Sequence, residues 1–328
     1  PSASNSTALY SGIFKYIAPL SIFLLTLDAN LAKLKDAGLP MLILFLLGTL
    51  GTALGVLVAF ILVSPETVLN ELAAPIAGMI AGTYSGGSIN FNAIALHYNV
   101  MENGLLFAGI VAVDNVFTAL WIIATLMIPR VMKNIWPGRT LNKEDQKNET
   151  EKPKNQDLTL NSLMVLIGTG LITLFFAELL TSFWPELPSI ITVTTIALIL
   201  AQIPYFHKLP GTQSLGLLAV YLFLVVIGAY CELIAVWELG FIGLKLVLLL
   251  GVTVVTHGLI MIVIGRLFFS DWDMIAITSQ ANIGGGPTAM ALAETFNRKE
   301  LILPAIMVGT LGNALGTYVG FIVVYLLQ

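Results

Sequence analysis

Charged residues are scarce in this sequence, making up 10% of its 328 residues, whereas a soluble domain carries about a quarter. A soluble protein of this length would lack the polar groups needed to cover its surface, so a soluble globular fold is excluded. A hydrophobic fraction of 57% and a mean hydropathy of +0.91 also exclude a disordered chain. Long unbroken apolar runs exclude a membrane β-barrel, whose strands alternate apolar and polar residues. The composition therefore predicts an all-α polytopic membrane protein.

Cysteine and histidine are almost absent as well. Cys231 is the single cysteine, which excludes an internal disulfide and a cysteine-ligated metal site. The histidines His97, His207 and His257 are too far apart to have metal-ligand spacing. A net charge of −4 does not suit a nucleic-acid partner, and the GxxxxGK[ST] pattern of an ATP-binding loop does not occur. We therefore expect no cofactor and no nucleic-acid partner.

Eight windows are apolar enough for membrane-spanning helices, which need about 20 residues. They lie at 11–27, 39–63, 104–130, 160–182, 188–204, 213–232, 241–268 and 302–327. A hydrophilic stretch at 133–158, rich in Lys, Glu, Asn and Pro, cannot bury anything. It predicts a cytoplasmic linker between a first repeat at 1–132 and a second repeat at 159–328.

Two further apolar segments, 71–98 and 271–297, are interrupted by glycine-rich breaks. Glycine runs do not hold a helix well. At membrane depth, irregular backbone survives only inside protein or beside a water-filled cavity. Such discontinuous helices are therefore the first place to look for a transport site.

The two broken segments match each other at an offset of 198 residues, which indicates an internal repeat. The matched pairs are Gly86 and Gly284, Gly87 and Gly285, Ala93 and Ala291, Ala95 and Ala293, Asn99 and Asn297, Glu102 and Glu300, and Asn115 and Asn313. The helices at 160–182 and 188–204 have no counterparts before residue 11, and the chain starts at Pro1. We therefore expect the first repeat to lack about two N-terminal helices in this sequence.

The distribution of basic residues distinguishes two topologies, because Lys and Arg in short loops mark the cytoplasmic side. If each broken segment crosses the membrane, the charge bias is mixed and the repeats are parallel. If each is a re-entrant hairpin, the loops with Lys33, Lys208 and Arg298 share one face and the repeats are inverted. Lys15 and Lys245 are the exceptions. We prefer the hairpins, and full crossing, as in cation/proton antiporters, stays open.

The residues at the breaks have the chemistry of a substrate and ion site. A half-helix that starts there offers free N–H groups to a carboxylate, and one that ends there offers carbonyls to Na⁺. An alternative is that the glycines only allow close helix packing. The candidate binding residues are Thr83, Tyr84, Ser85, Gly86, Gly87, Ser88, Asn90 and Asn92 in the first break, and Ser279, Gln280, Asn282, Gly284, Gly285, Gly286 and Thr288 in the second.

Asp114 is the charged residue expected near the middle of a spanning helix, next to Asn115. An intramembrane carboxylate is costly and is a functional candidate by default. It is interpreted as a cation ligand or proton carrier, or else as a carboxylate that braces the neighbouring break. A Na⁺ ion is expected near Asp114, Asn115 and Asn313. His257 is interpreted as a buried hydrogen-bonding residue, with a titrating switch as the alternative.

Four motifs carry a resemblance to a known family. GTYSGGSINFNAIA, VAVDNVF, QANIGGGPTAMALAE and VGTLGNALGTYVG resemble the YjcL-like bacterial integral membrane proteins, a domain of unknown function, over essentially the whole chain. Such proteins are distantly similar to cation/proton antiporters, bile-acid symporters and glutamate symporters. The resemblance implies a secondary transporter with inverted repeats in the bacterial inner membrane, and it implies no substrate.

The sequence therefore predicts a Na⁺- or H⁺-coupled transporter of a small organic anion or amino-acid-like solute, and no enzyme. Alternating access would move the breaks against a scaffold that forms a homodimer in the lipid. A channel is one alternative. Another is an intramembrane hydrolase, with Ser85 or Ser88 as nucleophile and His97 or His257 as base. Two near-equivalent breaks argue against a hydrolase, because an enzyme needs one site.

Overall fold

The described part of the chain is helical throughout. The structure is a computed structural model that describes residues 12–27, 38–136, 158–184, 187–207, 209–212, 214–219, 221–222 and 233–328. These residues contain no β-strand, so the prediction of an all-helical chain is confirmed for them. Cys231, Lys33, Lys208, most of the predicted linker and part of the predicted helix 213–232 lie outside the described residues.

The helices follow the apolar windows of the sequence. In chain order they are α1 (Ala18–Leu27), α2 (Leu39–Val63), α3 (Ala73–Thr83), α4 (Ser88–His97), α5 (Gly104–Ile135), α6 (Leu160–Phe183), α7 (Ser189–Ala201), α8 (Leu233–Glu238), α9 (Phe241–Phe268), α10 (Trp272–Ile283), α11 (Gly285–Thr295) and α12 (Ile302–Leu327). Shorter helical turns lie at Ile13–Ile17, Glu66–Leu69, Asn70–Leu72, Val100–Glu102, Pro204–His207 and Lys299–Leu301.

Five of these helices, α2, α5, α6, α9 and α12, are long and apolar enough to cross a membrane. They have 24 to 32 residues, and a span needs about 20. Large apolar side chains on their outer faces are exposed, among them Ile61 in α2 and Phe175 in α6. Such faces suit contact with lipid. Helices α1 and α7, by contrast, have only 10 and 13 residues, shorter than the windows that the sequence indicated for them.

Each glycine-rich segment forms two half-helices with a break between them. We call α3 with α4 the first broken pair and α10 with α11 the second broken pair. The breaks need glycine, because Gly87 and Gly285 have φ angles of 117° and 79°, which side-chain-bearing residues rarely adopt. Asn99 and Asn297, also 198 residues apart, end the pairs with φ angles of 53° and 56°. Both segments therefore have positive φ angles at the same two positions of the repeat, although the first break is four residues long and the second is one.

The two arms of each broken pair lie side by side. Arg298, which follows α11, forms an ion pair of 2.6 Å with Asp271, which caps the start of α10. A continuous helix over this stretch would separate these residues by about 40 Å. In the first pair, Ile94 of α4 lies against Gly82 of α3. The two ends of the second pair are therefore close to each other, and the two arms of the first pair contact each other beside the break.

A glycine face on α12 receives both broken pairs. Backbone approaches backbone at Gly78 and Gly320, Gly82 and Gly316, Gly86 and Gly312, and Gly286 and Gly309. Small residues at such spacing allow helices to pack closely in membranes. The first pair lies along the C-terminal half of α12 and the second pair reaches it from the N-terminal side. The two pairs thus approach the middle of α12 from opposite ends.

Helices α2 and α9 pack antiparallel against each other beside the broken pairs. Gly48 of α2 lies next to His257 of α9, and Gly55 lies next to Thr253. At the end of α2, the Lys245 ammonium donates hydrogen bonds to the carbonyls of Val63 and, at 3.0 Å, Ser64. The Val63 carbonyl ends α2 and has no partner within the helix, and the Ser64 carbonyl also accepts from the Thr67 hydroxyl at 2.8 Å. Capping of α2 thus accounts for Lys245, one of the two basic residues that did not fit the charge pattern.

Candidate functional site

The tips of the two broken pairs touch each other. We call residues 83–92 the first tip and residues 279–288 the second tip. A Cβ atom placed on Gly285 would lie 3.8 Å from the Gly86 carbonyl oxygen and 3.9 Å from the Gly87 Cα atom. A Cβ atom on Gly87 would lie 3.6 Å from the amide oxygen of Asn313 on α12. The structure therefore brings the two sets of predicted site residues, which are far apart in sequence, to one place.

Most of the candidate site residues are buried inside protein. The buried ones are Thr83, Tyr84, Ser85, Gly86, Asn90, Asn92, Ser279, Gln280, Asn282 and Gly285. The half-buried ones are Gly87, Asp114, Gly284, Gly286, Thr288 and Asn313, and the exposed ones are Ser88 and Asn115. The breaks thus lie where irregular backbone is tolerated at membrane depth, surrounded by other helices.

The Asp114 side chain on α5 faces the Tyr84 hydroxyl in the first tip, and Thr118 lies beside the same hydroxyl. The Tyr84 hydroxyl and the Asp114 carboxylate interact with each other, but neither Tyr84 Oη nor Asp114 Oδ1 has a hydrogen bond of good geometry. A carboxylate in such surroundings is costly unless a proton, a cation or a hydrogen-bond donor completes it. Asp114 therefore lies at the tip, where a proton or cation could bind it.

Further oxygen atoms near the tips have no hydrogen-bond partner in the protein. They belong to the side chains of Ser85, Asn92 and Asn282. The amide oxygens of Asn92 and Asn282 can only accept. Buried polar atoms in native proteins are nearly all partnered, so unpartnered ones call for an explanation. Neutral oxygens and carboxylates are the ligand types that small hard cations prefer.

Other candidates are hydrogen-bonded within the protein. The Asn90 amide donates to the Gly312 carbonyl at 3.2 Å and accepts from the Thr317 hydroxyl at 2.8 Å. The Gln280 amide donates to Thr288 and accepts from Thr125 on α5, both at 3.0 Å. These contacts hold the tips on α12 and α5. Asn90 and Gln280 therefore brace the tips against neighbouring helices.

A hydrogen-bond network joins the two tips through α2 and α9. Thr52 donates to the Tyr84 carbonyl in the first tip at 2.8 Å and lies 3.0 Å from His257 Nδ1. The other ring nitrogen, Nε2, lies 2.9 Å from the hydroxyl of Ser279 in the second tip. Trp121 on α5 donates its indole N–H to that same hydroxyl at 3.2 Å. His257 is thus a buried hydrogen-bonding residue in this structure.

This network bears on the hydrolase alternative, because the serine that contacts His257 is Ser279 and neither Ser85 nor Ser88. Ser279 is 2% exposed and His257 is 0% exposed. Among the residues that the structure describes, no group of three or more His, Cys, Asp or Glu side chains could hold a metal ion. Both side chains of this serine–histidine pair are thus buried.

The sequence did not point to Thr52, to Trp121 or to the glycine face of α12. Thr52 and His257 are 205 residues apart, and no local pattern links them. The glycine face did have a signal in Gly309, Gly312, Gly316 and Gly320, which repeat at the three- and four-residue spacing of one helix face.

Comparison with known proteins gives a family and a relative. The family described as "Protein of unknown function (DUF819)" matches residues 2–328. The "Uncharacterized membrane protein YjcL" of Bacillus subtilis (strain 168) is 28% identical over 333 residues, which is 95% of this chain and 82% of that protein. The resemblance that the sequence motifs indicated is thereby confirmed.

Proposed function

We propose that this chain, which belongs to the DUF819 family of membrane proteins, is an ion-coupled secondary transporter of a small organic anion or amino-acid-like solute. The observation that carries this proposal is the meeting of two glycine-containing tips near the middle of α12. Discontinuous helices that meet at mid-membrane are the usual construction of a transporter's binding site.

The chemistry at the tips supports an anionic or zwitterionic solute. Helices α4 and α11 both begin at the tips, at Ser88 and Gly285. Their first N–H groups and the positive ends of their dipoles favour a carboxylate. Asp114, which faces the Tyr84 hydroxyl at the first tip, would hold the coupling Na⁺ or H⁺. Asn115 and Asn313 would line the same site.

The arrangement of the broken pairs supports re-entrant hairpins in inverted repeats. The Asp271–Arg298 ion pair brings the two ends of the second pair to one side, and the first pair reaches α12 from its other half. A cation/proton antiporter with fully crossing discontinuous helices would separate those ends. That alternative, and a channel, are therefore the weaker candidates, and so is an intramembrane hydrolase.

The remaining parts of the proposal follow from this topology. Each hairpin would enter from its own side of the bacterial inner membrane, and the linker at 133–158 would be cytoplasmic. Alternating access would move the broken pairs against a scaffold, which we propose to be dimeric. Two homologous halves in opposite orientations provide such a mechanism, because exchanging their conformations opens the site to the other side.

Cysteine labelling tests the hairpin. Glu71 and Asn99 are exposed residues at the two ends of the first broken pair. Each is replaced by cysteine in a Cys231→Ser background and treated with a membrane-impermeant maleimide on right-side-out and inverted vesicles. We expect both positions to react on the same side of the membrane. Reaction on opposite sides would contradict re-entrance and favour the crossing topology.

Transport by the purified protein tests the function. Proteoliposomes are screened for uptake of labelled carboxylates and amino acids under an inward Na⁺ gradient, an inward H⁺ gradient and no gradient. We expect a gradient of one of these ions to drive accumulation of a solute above its external concentration. Flux that only equilibrates the solute, whatever the gradient, would show a channel.

A further inference from the structure

We propose that His257 is the positioning residue that couples the first tip to the second, so that a change at Asp114 alters the conformation of both. This inference rests on the proposed function in assuming that the two tips act as one site. What points to it is a continuous set of contacts that starts at Asp114, passes through Tyr84, Thr52 and His257, and ends at Ser279.

The directions of these hydrogen bonds follow from the atoms involved. His257 Nδ1 lies 3.0 Å from the Gly48 carbonyl, which can only accept, so Nδ1 carries the proton. Thr52 uses its own proton on the Tyr84 carbonyl, so its oxygen accepts from the same Nδ1–H. A neutral ring then has an unprotonated Nε2, which accepts the Ser279 proton. Because Trp121 donates to the Ser279 oxygen, every partner of the ring is used.

In this arrangement His257 connects the two tips by hydrogen bonds. One side of the ring is bonded, through Thr52, to the main chain of the first tip, and the other side is bonded to a side chain of the second tip. Thr52 and His257 are both completely buried, so water does not compete with these bonds. If Tyr84 shifts, Thr52 must lose its acceptor or move with it, and the histidine and Ser279 must then adjust.

Two substitutions separate the two sides of the ring. In His257→Asn the amide nitrogen takes the place of Nδ1, so the first tip keeps its contact while Ser279 loses its acceptor. In His257→Gln the amide oxygen takes the place of Nε2, so Ser279 keeps its acceptor while Thr52 and Gly48 lose their donor. Thr52→Val removes only the hydroxyl of Thr52, and Thr52→Ser keeps it.

The test measures hydrogen–deuterium exchange of the full-length protein in lipid nanodiscs, without substrate or ion gradient. Asp114→Asn is introduced into the unchanged protein and into each variant, and exchange is followed in peptides that cover the second tip. In the unchanged protein we expect Asp114→Asn to alter the exchange rate at the second tip by at least about fivefold, the lower range of coupling between linked sites. In His257→Asn, His257→Gln and Thr52→Val we expect less than about twofold.

Matched controls distinguish coupling from loss of packing. Thr253→Val, one turn away on α9, removes a hydroxyl bonded only to its own helix, and Thr52→Ser retains the link. Both should keep the full response to Asp114→Asn. If the His257 variants fail to fold, the comparison of Thr52→Val with Thr52→Ser still tests the coupling between the tips. A response that persists in Thr52→Val, or that is missing from the unchanged protein, would overturn the inference.

The exchange measurement does not depend on transport. Intact coupling in a protein without gradient-driven uptake would overturn the proposed function and leave the role of His257 standing. Gradient-driven uptake by a protein in which Asp114→Asn does not change exchange at the second tip would overturn the role of His257 and leave the proposed function standing.

Discussion

Gly86 in the first tip packs directly on Gly312 of α12, with no room for a side chain between them. A Cβ atom placed on Gly86 would lie 2.1 Å from the carbonyl carbon and oxygen of Gly312. Real Cβ atoms do not approach backbone this closely, so any larger residue must push the first tip away from α12. The contact therefore requires glycine at position 86. The glycine-rich composition of the break did not show which position had this requirement.

We accordingly predict that Gly86→Ala separates the first tip from α12. Forcing an extra methyl group into a packed contact typically costs about 1–3 kcal/mol, and here the obstacle is backbone, which cannot rotate away. Thermal unfolding of the detergent-solubilised protein should show a lower melting temperature. Gly168→Ala in α6 is the matched control, because a Cβ atom there meets nothing within 4 Å. Equal effects of the two substitutions would contradict the packing.

The ion pair between Arg298 and Asp271 holds the two ends of the second broken pair together. Arg298 also contacts Asp273, and the three side chains are only 14–26% exposed. We predict that Arg298→Gln lowers the free energy of unfolding by about 2 kcal/mol, because two partly buried carboxylates lose a charged partner. Lys133→Gln is the control. Lys133 forms an ion pair of 2.7 Å with Asp273, but its side chain is 53% exposed, and exposed ion pairs contribute less than about 1 kcal/mol. Chemical denaturation in mild detergent measures both.

The same ion pair should make stability depend on pH. Burial tends to raise the pKa of Asp271, but the hydrogen bond and charge of Arg298 outweigh it, so the pKa lies below its ordinary value. A carboxyl group whose pKa is lowered by folding stabilises the fold above its unfolded pKa of about 3.9. That stabilisation is lost as the pH falls through the lower, folded value.

We therefore predict a constant difference in melting temperature between the unchanged protein and Asp271→Asn from pH 5 to pH 7. Below about pH 4 the difference should shrink as Asp271 becomes protonated in the folded protein. The measurement is thermal unfolding across this range. A difference that grows on acidification would mean that Arg298 does not control the ionisation of Asp271.

Asp114→Asn tests the carboxylate at the first tip. Asparagine has nearly the same shape, so the fold should persist, while the group can no longer carry a charge or exchange a proton. We predict that ion-driven uptake falls at least about tenfold, which corresponds to about 1.4 kcal/mol. Glu178→Gln, on the exposed surface of α6, should leave uptake unchanged. Normal ion-driven uptake by Asp114→Asn would remove the carboxylate from the coupling site.

Local chemistry explains why the breaks could be predicted from the sequence. Glycine weakens a helix wherever it clusters, so the segments 71–98 and 271–297 stood out, and helices α3, α4, α10 and α11 lie within them. The ends of apolar windows were less informative. The window at 11–27 suggested a full span, but α1 has 10 residues after a π-helical turn, because hydropathy does not report where a backbone departs from the α-helix.

The contacts between distant residues could not be predicted in the same way. Asp114 stood out because a carboxylate in a membrane helix is unusual, yet nothing in the sequence paired it with Tyr84. His257 showed no partner, because Thr52 and Ser279 become its neighbours only through the packing of α2, α9 and α10. Ordinary threonine and serine residues in apolar helices more often bond their own backbone.

The glycine face of α12 also sets how the first broken pair can move. Interlocked side chains normally resist the sliding of one helix past another, since each ridge must leave its groove before it can enter the next. The face of α12 that meets the first broken pair has no side chain at Gly312, Gly316 or Gly320. Opposite them lie Gly78 and Gly82 of α3 and Gly86 of the break. The side chains of Asn90 and Ile94 on α4 instead lie against Gly316 and Gly320. A shift of the first broken pair along α12 therefore has to release the hydrogen bonds of Asn90 to Gly312 and Thr317.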